Sequence, residues 1–166
     1  VTLYYNHISK DLISKKSAEN IDITKILQKS IQSQYDDIAT IMLYAGYSDS
    51  CISFLTNEMT YQSYKNIYSV LNMLTSINKN IFNISITPVG KTTYSIPGYQ
   101  SPLAPSCLEY SDGQVHYDGY AEIKTTASST VPVFSYSMNI ISYGNAKSPG
   151  EKIGYMTLLV KVDSIV

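Results

Sequence analysis

Arginine is absent from this 166-residue chain, and all 12 basic residues are lysine. Arginine is the side chain that reads phosphates and guanine edges with two parallel hydrogen bonds. No lysine cluster replaces it, since Lys15 and Lys16 are the only adjacent pair. A nucleic-acid surface needs a basic footprint, so nucleic-acid binding is set aside. Tryptophan is also missing, and no long apolar run of membrane-spanning length occurs. Charge is scarce in general: Asp, Glu, Lys and Arg make up 15% of the chain, against roughly 25% in ordinary soluble domains.

The chemical motifs are missing too. The two histidines, His7 and His116, stand far apart with no metal-ligand spacing around them. Neither GxSxG nor a full phosphate-binding loop is present. Gly90-Lys91-Thr92 lacks the upstream glycines whose backbone donors would cradle a phosphate. Asp36 and Asp37 are adjacent on a helix, so their side chains diverge. Asp112, Asp118 and Glu122 come nearest to a carboxylate cluster, on neighbouring hairpin positions, but without a calcium-loop pattern. The expectation is therefore a protein that is not an enzyme, with no catalytic residue, no metal site and no cofactor.

What is present in excess is tyrosine, with 16 residues. Tyrosine offers apolar area with a polar tip and is enriched at contact surfaces. Tyr94, Tyr99, Tyr110, Tyr117 and Tyr120 surround a long loop and two Asp-Gly pairs, and form the candidate interaction surface. The two cysteines, Cys51 and Cys107, lie far apart in a poorly charged chain. They are expected to form one disulfide, which points to an oxidising compartment. Asn83-Ile84-Ser85 matches a glycosylation acceptor on what reads as the outward face of a strand.

Periodicity divides the chain. The first 80 residues carry helical spacing, and the rest alternate with period two, which predicts an α+β fold. N-terminal amphipathic helices would pack on a C-terminal, mostly antiparallel sheet of about five strands. Residues 1–166 are read as a single domain, mainly helical over 1–80 and mainly β over 81–166. A clear helix is expected to start after Asn20 or Asp22, with Ile23, Ile26, Leu27, Ile31, Tyr35, Ile38 and Met42 as its apolar stripe. Residues 3–17 would form a separate helical piece, 50–57 a short helix, and Thr60 the start of a third. Strands are predicted in IFNISIT, at 114–117, at 120–125, in VFSYSMNII and in YMTLLVKV. Asp118-Gly119 would be a turn. Residues 87–113 hold four prolines and three glycines and read as one long loop.

This layout resembles a type IV pilin or minor pilin ectodomain without its membrane-spanning segment. The matching parts are VTLYYNHISK as a membrane exit, Ile23 to Met42 as the amphipathic helix, the strand runs as the sheet, and Cys51 with Cys107 as its staple. The resemblance implies an extracytoplasmic structural subunit of a surface filament or envelope assembly. It also implies a membrane helix upstream and protein partners or self-association. Two alternatives stay open: a periplasmic ligand-sensing domain of a single-pass membrane protein, with an enclosed pocket, and a secreted adhesin or binding module. All three place the chain in the periplasm or at the cell surface.

Overall fold

The computed structural model describes residues 2–57, 60–96, 98, 101–125, 129–143 and 149–162, with side chains from residue 15 onward. Its elements are helices α1 (Thr2–Gly46), α2 (Asp49–Thr56) and α3 (Tyr61–Ile77), followed by strands β1 (Ile81–Pro88), β2 (Tyr94–Ile96), β3 (Val115–Lys124), β4 (Thr130–Ile141) and β5 (Lys152–Lys161). A short 3-10 turn, Ser106–Glu109, precedes β3. The strands form one antiparallel sheet in the order β2-β1-β5-β4-β3. Two compact units emerge, residues 1–38 and residues 39–166.

The first unit is the N-terminal part of α1. The helix runs unbroken through Asn20 and Asp22. Neither acts as a cap, because capping residues are helix starts only where no turn precedes them. Ile21, Ile23, Ile26, Leu27 and Ile31 are exposed on this helix. The membrane-exit reading of VTLYYNHISK concerns side chains that lie outside the described residues. No single helix among the described residues is long and apolar enough to cross a membrane.

The second unit packs helices on one face of the sheet. Ser48 caps α2 by accepting from the Cys51 amide, and Thr60 with Ser63 forms a reciprocal capping box at the start of α3. Phe54 and Leu55 of α2 and Ile67, Leu71 and Leu74 of α3 are buried, as are Met42 and Ala45 at the end of α1. Opposite them on the sheet stand Ile84, Ile86, Met138, Ile140, Met156 and Leu158, all buried. Each such side chain removed from water contributes about 1.5–3 kcal/mol. Packing is tight enough that a β-carbon on Gly154 would lie 2.7 Å from Leu55 and 2.8 Å from the Thr87 carbonyl.

The other face of the sheet is also buried, but it is polar. Period-two alternation places Asn83, Ser85 and Thr87 of β1, Thr157 of β5, and Ser135, Ser137 and Asn139 of β4 on it. All seven are buried. Leu159, Val133, Ala121 and Ile123 add a small apolar cluster at one end, with Phe82 and Leu103 against it. Asn83, 1% exposed, therefore does not point outward as the glycosylation reading requires.

Two local expectations change. Asp118-Gly119 is not a turn. It is a bulge inside one continuous strand, where the register of β3 shifts between Tyr117 and Gly119. The 87–113 region is not one loop, because it holds β2 and the 3-10 turn.

The disulfide is also corrected. Cys51 and Cys107 are both buried free thiols. Cys51 sits in α2 on the apolar face of the sheet, and Cys107 sits over the polar face against Ser137 and Asn139. The sheet stands between them, which linear spacing cannot reveal.

Candidate functional site

The bulge in β3 aims Asp118 at the polar face, where three donors meet its carboxylate. The Ser106 amide and the Ser137 hydroxyl donate to Oδ1 at 2.7 and 2.6 Å, and the Ser135 hydroxyl donates to Oδ2 at 2.8 Å. Charge-assisted hydrogen bonds of this length are the strong class. Asp118 thereby caps the 3-10 turn Ser106–Glu109, whose own preceding residue, Pro105, supplies no side-chain cap.

The segment 101–110 lies across this face and is tied down along its length. Ser101 and Ser135 hydroxyls are 3.2 Å apart, and the Cys107 amide donates to the Ser137 hydroxyl at 3.0 Å. The Asn139 amide nitrogen donates to the carbonyls of Cys107 and Tyr110. Its Oδ1 is fully buried and accepts no hydrogen bond among the described residues. A buried acceptor without a donor costs about 1–3 kcal/mol, so its retention calls for a reason. Burial pushes the Cys107 thiol up in pKa, against a lowering contribution from its Ser137 contact.

The end of the segment is braced by aromatic and acid–base contacts. Tyr110 stacks on His116 with ring centroids 4.1 Å apart and planes 8° from parallel. The His116 Nε2–H donates to Asp112 Oδ1 at 2.9 Å. That hydrogen bond holds the Asp112 carboxyl below its ordinary value.

Asp112, Asp118 and Glu122 do not converge. Asp112 pairs with His116, Asp118 with the serines, and Glu122 accepts from the Tyr120 hydroxyl. No cluster of metal-ligating side chains is found among the described residues.

The five tyrosines singled out by sequence separate as well. Tyr94 lies in β2 and packs with Phe54 and Tyr64, and burial raises its pKa. Tyr117 and Tyr120 lie on β3 at the opposite edge of the sheet, half exposed beside Phe134. Tyr110 belongs to the segment over the polar face, and Tyr99 lies outside the described residues. The residues that build the site were Ser135, Ser137 and Asn139. Their signal was present in VFSYSMNI, as small polar residues at every second position beside a long Pro-rich segment.

No known protein family matches the sequence, and neither does any curated protein. Solved structures do match. The extracellular domain of a protein named as a histidine kinase, vpHK1S-Z8, aligns at TM-score 0.63 and 18% identity, over 92% of this chain and 61% of that one. A domain of a protein named as a sensory box/GGDEF family member from Vibrio parahaemolyticus aligns at TM-score 0.56 and 17% identity, over 83% and 57%. The ligand-binding domain of the Campylobacter jejuni chemoreceptor Tlp3, in complex with L-valine, aligns at TM-score 0.62 and 11% identity, over 87% and 59%.

The chain has the fold of these sensory domains. It spans about three fifths of the length of each. The pilin-like layout is overturned by these matches, and with it the filament-subunit and adhesion readings. The physical difference lies over the sheet: residues 101–110 cover its polar face and are held there by hydrogen bonds, not by a disulfide. The expected N-terminal helices are found, but the staple that the pilin-like reading placed between Cys51 and Cys107 is not, because both are free thiols.

Proposed function

We propose that this chain is the sensing part of a membrane-anchored receptor, facing the periplasm. It binds a small molecule and carries out no catalytic step. The observation that carries this reading is Asp118, a carboxylate gripped by three of the protein's own donors on a buried polar sheet face. An ammonium group offers three N–H donors of the same reach. A ligand amine can take the place of the Ser106 amide and the two serine hydroxyls, with the idle Asn139 Oδ1 as a further acceptor. The segment 101–110 would shift as those bonds exchange, turning occupancy into a change of shape.

The sensory fold supports this reading, as does the chemoreceptor solved with L-valine, an amine-bearing ligand. Without arginine, this chain reads the amino end of such a ligand with carboxylate and amide rather than the acid end with a guanidinium. The partners in this reading are the rest of the receptor and a signalling assembly at the membrane.

The test is thermal unfolding against a panel of L-amino acids and simple amines, each paired with its N-acetylated form. A ligand at about one hundred times its Kd adds about 2.7 kcal/mol of stability. The free amine should raise Tm and the acetylated form should not. Asp118→Asn should remove the shift. Equal shifts from acetylated compounds, or a full shift in the variant, would sink the assignment.

A further inference from the structure

A recess lies away from the polar face. It is an open groove of about 930 Å³ between α2 and the end of the sheet where β4 leaves and β5 enters. Ligand clefts commonly fall between about 300 and 1,000 Å³. Ile52, Leu55, Ile141 and Ile153 give it apolar lining. Tyr47 and Tyr143 also line it, with ring centroids 5.5 Å apart and planes at 49°.

Tyr47 is fixed in place. Its hydroxyl accepts from the Ile141 amide at 3.4 Å. The same oxygen lies 2.7 Å from where a β-carbon on Gly113 would stand, so the ring has no room to move toward that residue. Tyr143 is 72% exposed and keeps a ring face open.

The charge at the groove is unbalanced. Among the described residues that line it, Asp49 and Glu151 each bring a carboxylate, against one ammonium, that of Lys152. Among the described residues, neither acidic side chain forms a hydrogen bond or an ion pair. At the start of α2, Ser48 already accepts from the Cys51 amide, and the Asp49 carboxylate in the first turn offsets the positive end of the helix.

We propose that this groove is a second binding site, and that it takes an organic cation. Aromatic faces attract ammonium groups, most strongly those with little hydration shell to lose. The two tyrosines would receive the cation, Asp49 and Glu151 would balance its charge, and the isoleucine and leucine surface would cover its hydrocarbon portion. The site does not depend on Asp118.

The experiment is an NMR titration with tetramethylammonium chloride, read on the ring protons of Tyr47 and Tyr143. Parallel titrations use sodium chloride, for ionic strength, and neutral tert-butanol. Tetramethylammonium should shift the rings saturably and the two controls should not. Tyr143→Ala, at an exposed position that leaves the fold intact, should weaken binding about two- to fivefold. The double variant Asp49→Asn, Glu151→Gln should weaken it further, and Asp118→Asn should leave it unchanged. An unsaturable response, equal shifts with tert-butanol, or undiminished binding in Tyr143→Ala would overturn the proposal. Loss of binding in Asp118→Asn would reassign the response to the polar face.

Discussion

The two cysteines show how much a side chain's position matters beyond its type. Burial pushes the Cys51 thiol up to about 12, where almost no thiolate exists at neutral pH. Cys107 is raised in the same direction by its own burial. The folded protein should therefore react slowly with a thiol reagent at pH 8, and two thiols per chain should titrate once it is unfolded without reductant. Finding none in unfolded, unreduced material would restore the disulfide. A second residue-level effect concerns acid. Asp112 has its carboxyl lowered by the His116 hydrogen bond, so the ionised form is favoured by folding. The sign follows from linkage: that contribution is present above the unfolded carboxylate pKa of about 3.9, and it is lost as pH falls through the lower folded value. Melting temperature measured from pH 6 down to pH 2 should fall less steeply in the low-pH region for Asp112→Asn than for the parent. Identical slopes would show that the pair does not hold in solution.

At the scale of the element, β3 decides whether the site exists. Gly119 has φ +131°, a backbone region that side chains rarely adopt, and the shift it permits turns Asp118 toward Ser135 and Ser137. Gly119→Ala should cost about 1–3 kcal/mol, read by urea unfolding, and should also weaken ligand response at the polar face. A variant with unchanged stability and unchanged response would mean that the bulge does not position Asp118. The same strand shows what was legible in the sequence. Strand identity on either side of Asp118-Gly119 could be read from alternation, as could the helical stretch beginning at Thr60 and the apolar row of β4. An Asp-Gly pair, however, is equally at home in a turn and in a bulge, and only pairing with β4 separates the two. Ser135, Ser137 and Asn139 could be read as sharing one face of the strand, but not as a buried one, for a related reason. Alternation reports which residues share a face, and it does not report that residues 101–110 return to cover them.

The whole molecule adds a question about α1 that neither local pattern nor local packing answers. Sequence periodicity treats Ile23 to Met42 as one apolar stripe, yet Met42 is fully buried while Ile26 and Ile31 are 66% and 62% exposed. Residues 39–166 form one compact unit, and the residues before them make up a unit of their own. Apolar residues that stay in water contribute little to folding, whatever their spacing, because the gain comes from area removed from water. Replacing Ile26 and Ile31 with glutamate should therefore change the unfolding free energy of residues 39–166 by less than about 0.5 kcal/mol per site. The readout is urea unfolding followed by a signal from the sheet. A loss of several times that size would mean these side chains are covered in solution. Sedimentation at several concentrations would then separate two origins: a loss that grows as the chain is concentrated comes from association between copies, and a constant loss comes from contact within one chain.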